Sequence, residues 1–179
     1  MSFVKRTRIP ETPPLRWWEA PYLVVASFGG TGFFPKASGT VASLAACVLY
    51  VLLPPWPWLV AVLGAVLFIF GVPATGWMAL RYRDNDPSQA TADEGAVMLL
   101  ILAFFPREWG YLALAFLLFR FFDIAKLPPC RRIERLSGGW GIMLDDLMAG
   151  VYTAVLLAVV YLTKLMPAWA RVPLPDLWF

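Results

Sequence analysis

Residues 91–126 read TADEGAVMLLILAFFPREWGYLALAFLLFRFFDIAK, and the fold follows from their pattern. Two apolar runs, 95–106 and 111–119, flank a polar corner at Arg107-Glu108. Pro106 and Gly110 punctuate that corner, and neither residue favours a continuing helix. The pattern predicts a helical hairpin that turns over 106–110. In an antiparallel pair, residues equally far from the turn lie side by side. Asp93 and Glu94 are then level with Arg120 and Asp123, roughly 20 Å from the turn at about 1.5 Å per residue. With Lys126, these ionisable groups gather at one end of an apolar hairpin. An isolated charge in such a place is costly, so groups there are paired, solvated or functional.

The whole chain fits that setting. Of 179 residues, 60% are hydrophobic and 15% charged, against roughly 45–50% and 25% in ordinary soluble domains. The expected fold is all-α: a polytopic helical membrane protein of about five helical segments, one domain over 1–179, with a cytoplasmic-face polar site. Net charge is +3, with basic residues beside apolar segments. That favours anionic lipid headgroups over nucleic acid, for which no binding signature is present. Histidine is absent, which removes histidine bases, phosphohistidine and histidine-ligated zinc. Cys47 and Cys130 are far apart and suggest neither a disulfide framework nor a zinc site. Residues 1–20 form a basic tail with Lys5, Arg6, Arg8 and Arg16, and no removable signal peptide is expected.

Residues 37–80 carry no charge, too long a run for one span of about 20 residues. Pro54-Pro55-Trp56-Pro57 divides it into spans 40–53 and 58–80. The hairpin supplies two more spans, 147–163 the last, and 166–179 a short interfacial tail. The basic tail, Arg81 and Arg83, and the arginines from 120 to 135 fall on one side of this arrangement. The positive-inside rule makes that side cytoplasmic. The carboxylates play no part in that assignment, yet Asp93, Glu94, Asp123, Asp145 and Asp146 all fall on the same side.

Those five carboxylates form an all-oxygen set suited to a hard cation such as Mg2+, which also takes water and phosphate oxygens. Each alone reads equally as a helix-end charge. Arg120, Asp123 and Lys126 follow at i,i+3 spacing, either as a ladder of ion pairs or as two phosphate ligands around a metal ligand. The glycine-rich loop 28–40 either turns tightly at a membrane surface or cradles a phosphate, with Lys36, Gly39 and Thr40 as its contacts. Gly138-Gly139-Trp140-Gly141 gives similar backbone freedom beside Asp145-Asp146. A cysteine-phosphatase loop fails on spacing, because Leu136 stands where its arginine belongs and Arg135 is one residue short. Asp84-Asn85-Asp86 matches an aspartyl-phosphatase motif but lacks a preceding strand. A small transporter, or a structural membrane subunit held by ion pairs, remains an alternative on residue chemistry alone.

Four motifs carry a resemblance. They are Phe28-Gly29…Gly32…Pro35…Gly39-Thr40, Asp93-Glu94, Phe119-Arg120-x-x-Asp123-x-x-Lys126 and Gly138-Gly139-x-Gly141-Ile-Met-x-Asp145-Asp146-x-x-Ala149-Gly150. In this order, over about 21–165, they resemble the phosphatidylglycerophosphatase A family. Gly95 follows the Asp-Glu pair where a bulky apolar residue is more usual. The resemblance implies a Mg2+-dependent, multi-pass enzyme of the bacterial inner membrane that takes a phospholipid substrate. It would convert phosphatidylglycerophosphate to phosphatidylglycerol and phosphate. Asp93, Glu94, Asp123, Asp145 and Asp146 would be catalytic and metal-binding residues. Arg120, Lys126, Lys36, Gly39 and Thr40 would meet the substrate phosphate. Water attack with Glu94 as proton acceptor and a phospho-aspartyl intermediate both remain open.

Overall fold

The computed structural model describes residues 14–133, 136 and 138–178, including their side chains except those of Arg131 and Arg132. Most of the predicted basic tail (1–13) and Arg135 lie outside the described residues. Among the described residues the chain is helical, without a β-strand. The helices are α1 (Ala20–Ala26), α2 (Ser38–Leu52), α3 (Pro57–Tyr82), α4 (Ala92–Ala103), α5 (Trp109–Ala125), α6 (Cys130–Ile133) and α7 (Gly139–Leu162).

Length separates these helices. α3 and α7, with 26 and 24 residues, are long and apolar enough to cross a membrane. They measure about 39 and 36 Å, against about 30 Å of hydrocarbon. α2, α4 and α5 have 15, 12 and 17 residues, or about 22, 18 and 26 Å. On length alone, these two qualify as full crossings, where three to five of the about five helical segments are expected to cross. The apolar run at 95–106 has another cause: α4 is enclosed by α2, α3, α5 and α7, and nearly all of it is buried. Small residues permit that enclosure. A Cβ on Gly64 of α3 would lie 2.9 Å from Leu100 Cγ, and one on Gly95 would lie 2.8 Å from the Phe28 ring. The aromatic ring of Phe28 thus occupies the space beside Gly95. The outer faces stay apolar, with Leu44, Val48, Ile69, Phe70, Leu117 and Val155 each 52–65% exposed. Apolar surface on this scale marks an interaction with lipid or protein rather than water.

Three local expectations change. α7 begins at Gly139 rather than near 147, so Asp145 and Asp146 lie inside the helix. Gly139 and Gly141 suggest a loop by propensity. Gly139 is instead required by packing, because a side chain there would strike the Val72 carbonyl of α3. The glycine-rich loop contains a 3-10 turn, Thr31–Phe33, and gives way to α2 at Ser38. Lys126 lies just past α5 in a left-handed conformation, φ 45°, so it leaves the helical ladder predicted with Arg120 and Asp123.

The end of the bundle opposite those motifs is stapled. Arg107 donates to the carbonyls of Tyr50, Val51 and Leu53 at 3.0, 2.8 and 2.9 Å. These are C-terminal carbonyls of α2, which the helix itself leaves without donors. The final segment folds back onto the same corner. Trp109 N–H donates to Val172 O, Leu174 N–H to Arg107 O, and Trp178 Nε1–H to Leu52 O, at 2.9, 3.0 and 2.9 Å. Met166, Ala170 and Leu174 are buried there, so the tail is part of the bundle. Arg107→Ala is expected to cost about 3 kcal/mol through the orphaned carbonyls. Arg107→Lys should recover less than half, because one ammonium cannot satisfy all three. Thermal unfolding in detergent measures both, and unchanged midpoints would show that the staple contributes nothing.

Candidate active site

The site forms where the N-termini of α2, α4 and α7 meet the C-termini of α3 and α5. Thr91 fixes the start of α4. Its N–H donates to Ala26 O at 2.8 Å, and its hydroxyl lies 3.0 Å from that of Thr31. Asp93 and Glu94 then occupy the first turn, where the helix dipole favours negative charge. Asp146 reaches the same point from α7. One oxygen from each of Asp93, Glu94 and Asp146 lies within 4.8 Å of the others. Asp93 and Asp146 are only 6% and 5% exposed. Asp93 Oδ1, Glu94 Oε2 and Asp146 Oδ2 are buried without a hydrogen-bond partner. Three mutually repelling carboxylates with orphaned oxygens fit a hard divalent cation, which would supply the missing positive charge.

Two basic side chains stand beside this cluster, each against another of the predicted carboxylates. Arg120 Nη1 lies 2.7 Å from Asp123 Oδ2 and 3.9 Å from Glu94 Oε1. The predicted hairpin register therefore holds at its charged end. Arg120 Nε and Nη1 lack an acceptor aligned for a hydrogen bond. Lys126 Nζ lies 3.0 Å from Asp145 Oδ2 and 4.0 Å from Asp86 Oδ2. A left-handed lysine costs about 1–2 kcal/mol relative to the ordinary helical conformation, and here it accompanies a cross-helix ion pair. The five carboxylates thus divide. Asp93, Glu94 and Asp146 face one another, while Asp123 and Asp145 each hold a cation. Cys130 is 1% exposed. Burial first, then the Asp145 carboxylate, raises its thiol above the ordinary range, which disfavours the nucleophilic thiolate.

Asp93, Glu94, Asp123, Lys126, Asp145 and Asp146 line one cavity of about 450 Å³. Lys36, Gly39, Thr40 and Arg120 are outside its wall. Lys36 is exposed, and Gly39 is buried against Glu94 and Arg120, where a Cβ would strike Glu94 Oε1. Much of the glycine-rich loop is already committed to its own turns. The N–H groups of Gly29, Gly30, Gly32, Phe33 and Phe34 donate to loop or α1 carbonyls. The α2 N-terminus at Ser38 is the part of the loop that reaches the cavity.

Asn85, Asp86, Pro87 and Ser88 also line the cavity and were not among the predicted site residues. The signal for them was positional. A short polar connection between α3 and the acidic first turn of α4 must pass over that turn. Ser38 ties this connection down by donating its hydroxyl to Ser88 O at 2.6 Å.

The phosphatidylglycerophosphatase A family model matches residues 24–161. A Bacteroides thetaiotaomicron protein, provisionally named a phosphatidylinositol-3-phosphatase, is 40% identical over 78% of this chain and 92% of its own length. Phosphatidylglycerophosphatase A of Escherichia coli is 34% identical, over 76% of this chain and 81% of that protein. The Haemophilus influenzae protein of that name is 33% identical, over 75% and 84%. No solved structure matches the chain. The chain belongs to the phosphatidylglycerophosphatase A family, and with it to the phosphoric monoester hydrolases.

Proposed function

We propose that the chain hydrolyses the terminal phosphate of phosphatidylglycerophosphate, with Mg2+, to give phosphatidylglycerol in phospholipid biosynthesis. The carrying observation is the buried Asp93, Glu94 and Asp146 cluster beside two cationic side chains at one end of an apolar bundle. Family membership supplies the lipid. Asp93, Glu94 and Asp146 would hold the metal, whose charge would neutralise phosphate oxygens and polarise the P–O bond. Lys126, held by Asp145 in the cavity wall, meets the equatorial oxygens, while Arg120, outside that wall, steadies Asp123 and Glu94. A water oxygen bonds to phosphorus in line as the bond to the glycerol oxygen breaks. Glu94 accepts the water proton, and the departing glycerol oxygen gains one from solvent.

In this reading the enzyme is multi-pass in the bacterial inner membrane. α3 and α7 cross the bilayer, and the shorter helices pack beside them. The cavity faces the cytoplasm, where the lysines and arginines of the sequence gather.

Purified protein should release phosphate from phosphatidylglycerophosphate with Mg2+ and stop with chelator. Asp123→Asn should lower turnover more than 100-fold while helical circular dichroism is unchanged. Normal turnover by that variant removes Asp123 from the site. Faster release from a phosphatidylinositol 3-phosphate substrate would move the headgroup assignment toward the name of the Bacteroides relative. Reporter fusions at Pro57 and Lys126 should report opposite sides of the membrane; the same side for both contradicts the orientation.

A further inference from the structure

An apolar groove of about 420 Å³ runs between α4 and α7, a volume within the roughly 300–1,000 Å³ of ligand pockets. Its walls include Val97, Ile101 and Phe104 of α4, and Gly150, Ala154 and Ala158 of α7. Helical spacing relates these walls to the acidic site. Val97 and Ile101 follow Asp93 at four-residue steps, as Gly150, Ala154 and Ala158 follow Asp146. Residues four apart stack on one helix face. The groove therefore starts one turn, about 6 Å, beneath the carboxylate cluster and continues about 12 Å from Gly150 to Ala158.

Its shape comes from small side chains. A Cβ on Gly150 would strike Val97 Cγ1, so the two helices touch at the floor. Ala154 and Ala158 keep the α7 wall low above that floor. All the lining residues are apolar.

We infer that this groove holds one fatty acyl chain of the lipid whose phosphate is hydrolysed above it. The inference rests on the lipid-phosphatase reading. Its ground is continuity: the helix faces that carry Asp93 and Asp146 carry the groove. A lipid tethers its chain to its phosphate through a short glycerol linker, so both ends bind as one event. Surrounding lipid is as apolar as the groove, so the contact orients the substrate more than it attracts it.

Ala154→Phe, which adds bulk inside the groove, tests this in the full chain in detergent. The probe is long-chain phosphatidylglycerophosphate with a photoactivatable diazirine midway along one acyl chain. The wild type should crosslink within residues 97–105 or 147–158, the two walls of the groove, and Ala154→Phe should reduce that product at least tenfold. The variant should also lower kcat/KM for the long-chain lipid at least tenfold, and change it less than twofold for the deacylated headgroup. Ala154→Leu should move both readouts in the same direction and substitutes if the larger side chain prevents folding. Crosslinking elsewhere, or a yield insensitive to both substitutions, overturns the inference. So does a variant that dissociates a dimer while leaving the lipid crosslink intact, which would assign the groove to a second copy. Crosslinking in the groove without phosphate release from any lipid would leave the groove standing and defeat the hydrolytic reading.

Discussion

Asp93, Glu94 and Asp146 repel one another, and the rest of the fold is arranged to keep them together. Buried carboxylates this close are unfavourable without a compensating positive charge. Yet two packed helices deliver them to one point, and Thr91 anchors the start of one helix from below. The Gly39 backbone approaches too closely for any side chain to sit beside Glu94. The three carboxylates together form a set that could hold a metal ion, with Arg120 beside Glu94 as the nearest protein cation.

The two ends of the bundle divide the work. At one end Arg107 and the C-terminal segment close the helix termini with hydrogen bonds to backbone carbonyls. At the other end, oxygens of Asp93, Glu94, Asp145 and Asp146 lack protein partners, as Arg107 Nε and Glu108 Oε2 do at the stapled corner. The acidic end is the one whose orphaned carboxylate oxygens gather around a cavity. The short, enclosed α4 links the two. Its first turn supplies carboxylates and its remaining turns supply core.

Much of this was legible in the residues. The turn at 106–110 sets an antiparallel register, and that register alone puts Glu94 opposite Arg120. The link between Lys126 and Asp145 was not legible as a pair, because Lys126 leaves the helix through a left-handed step that spacing does not encode. The early start of α7 was hidden for a related reason. Glycine content suggests a loop, but Gly139 is there because the Val72 carbonyl occupies the space of its side chain. Which runs cross was not legible, because an apolar run reads alike whether it faces lipid or the inside of a bundle. α4 lies in the second environment.

The central claim is one divalent ion shared by α4 and α7. Mn2+ binding to the full chain in detergent, followed by electron paramagnetic resonance, tests it without reference to turnover. The account predicts saturable binding that weakens at least tenfold in Asp93→Asn and in Asp146→Asn, a change of about 1.4 kcal/mol or more in each. Wild-type affinity in either variant, with the fold intact, would contradict it.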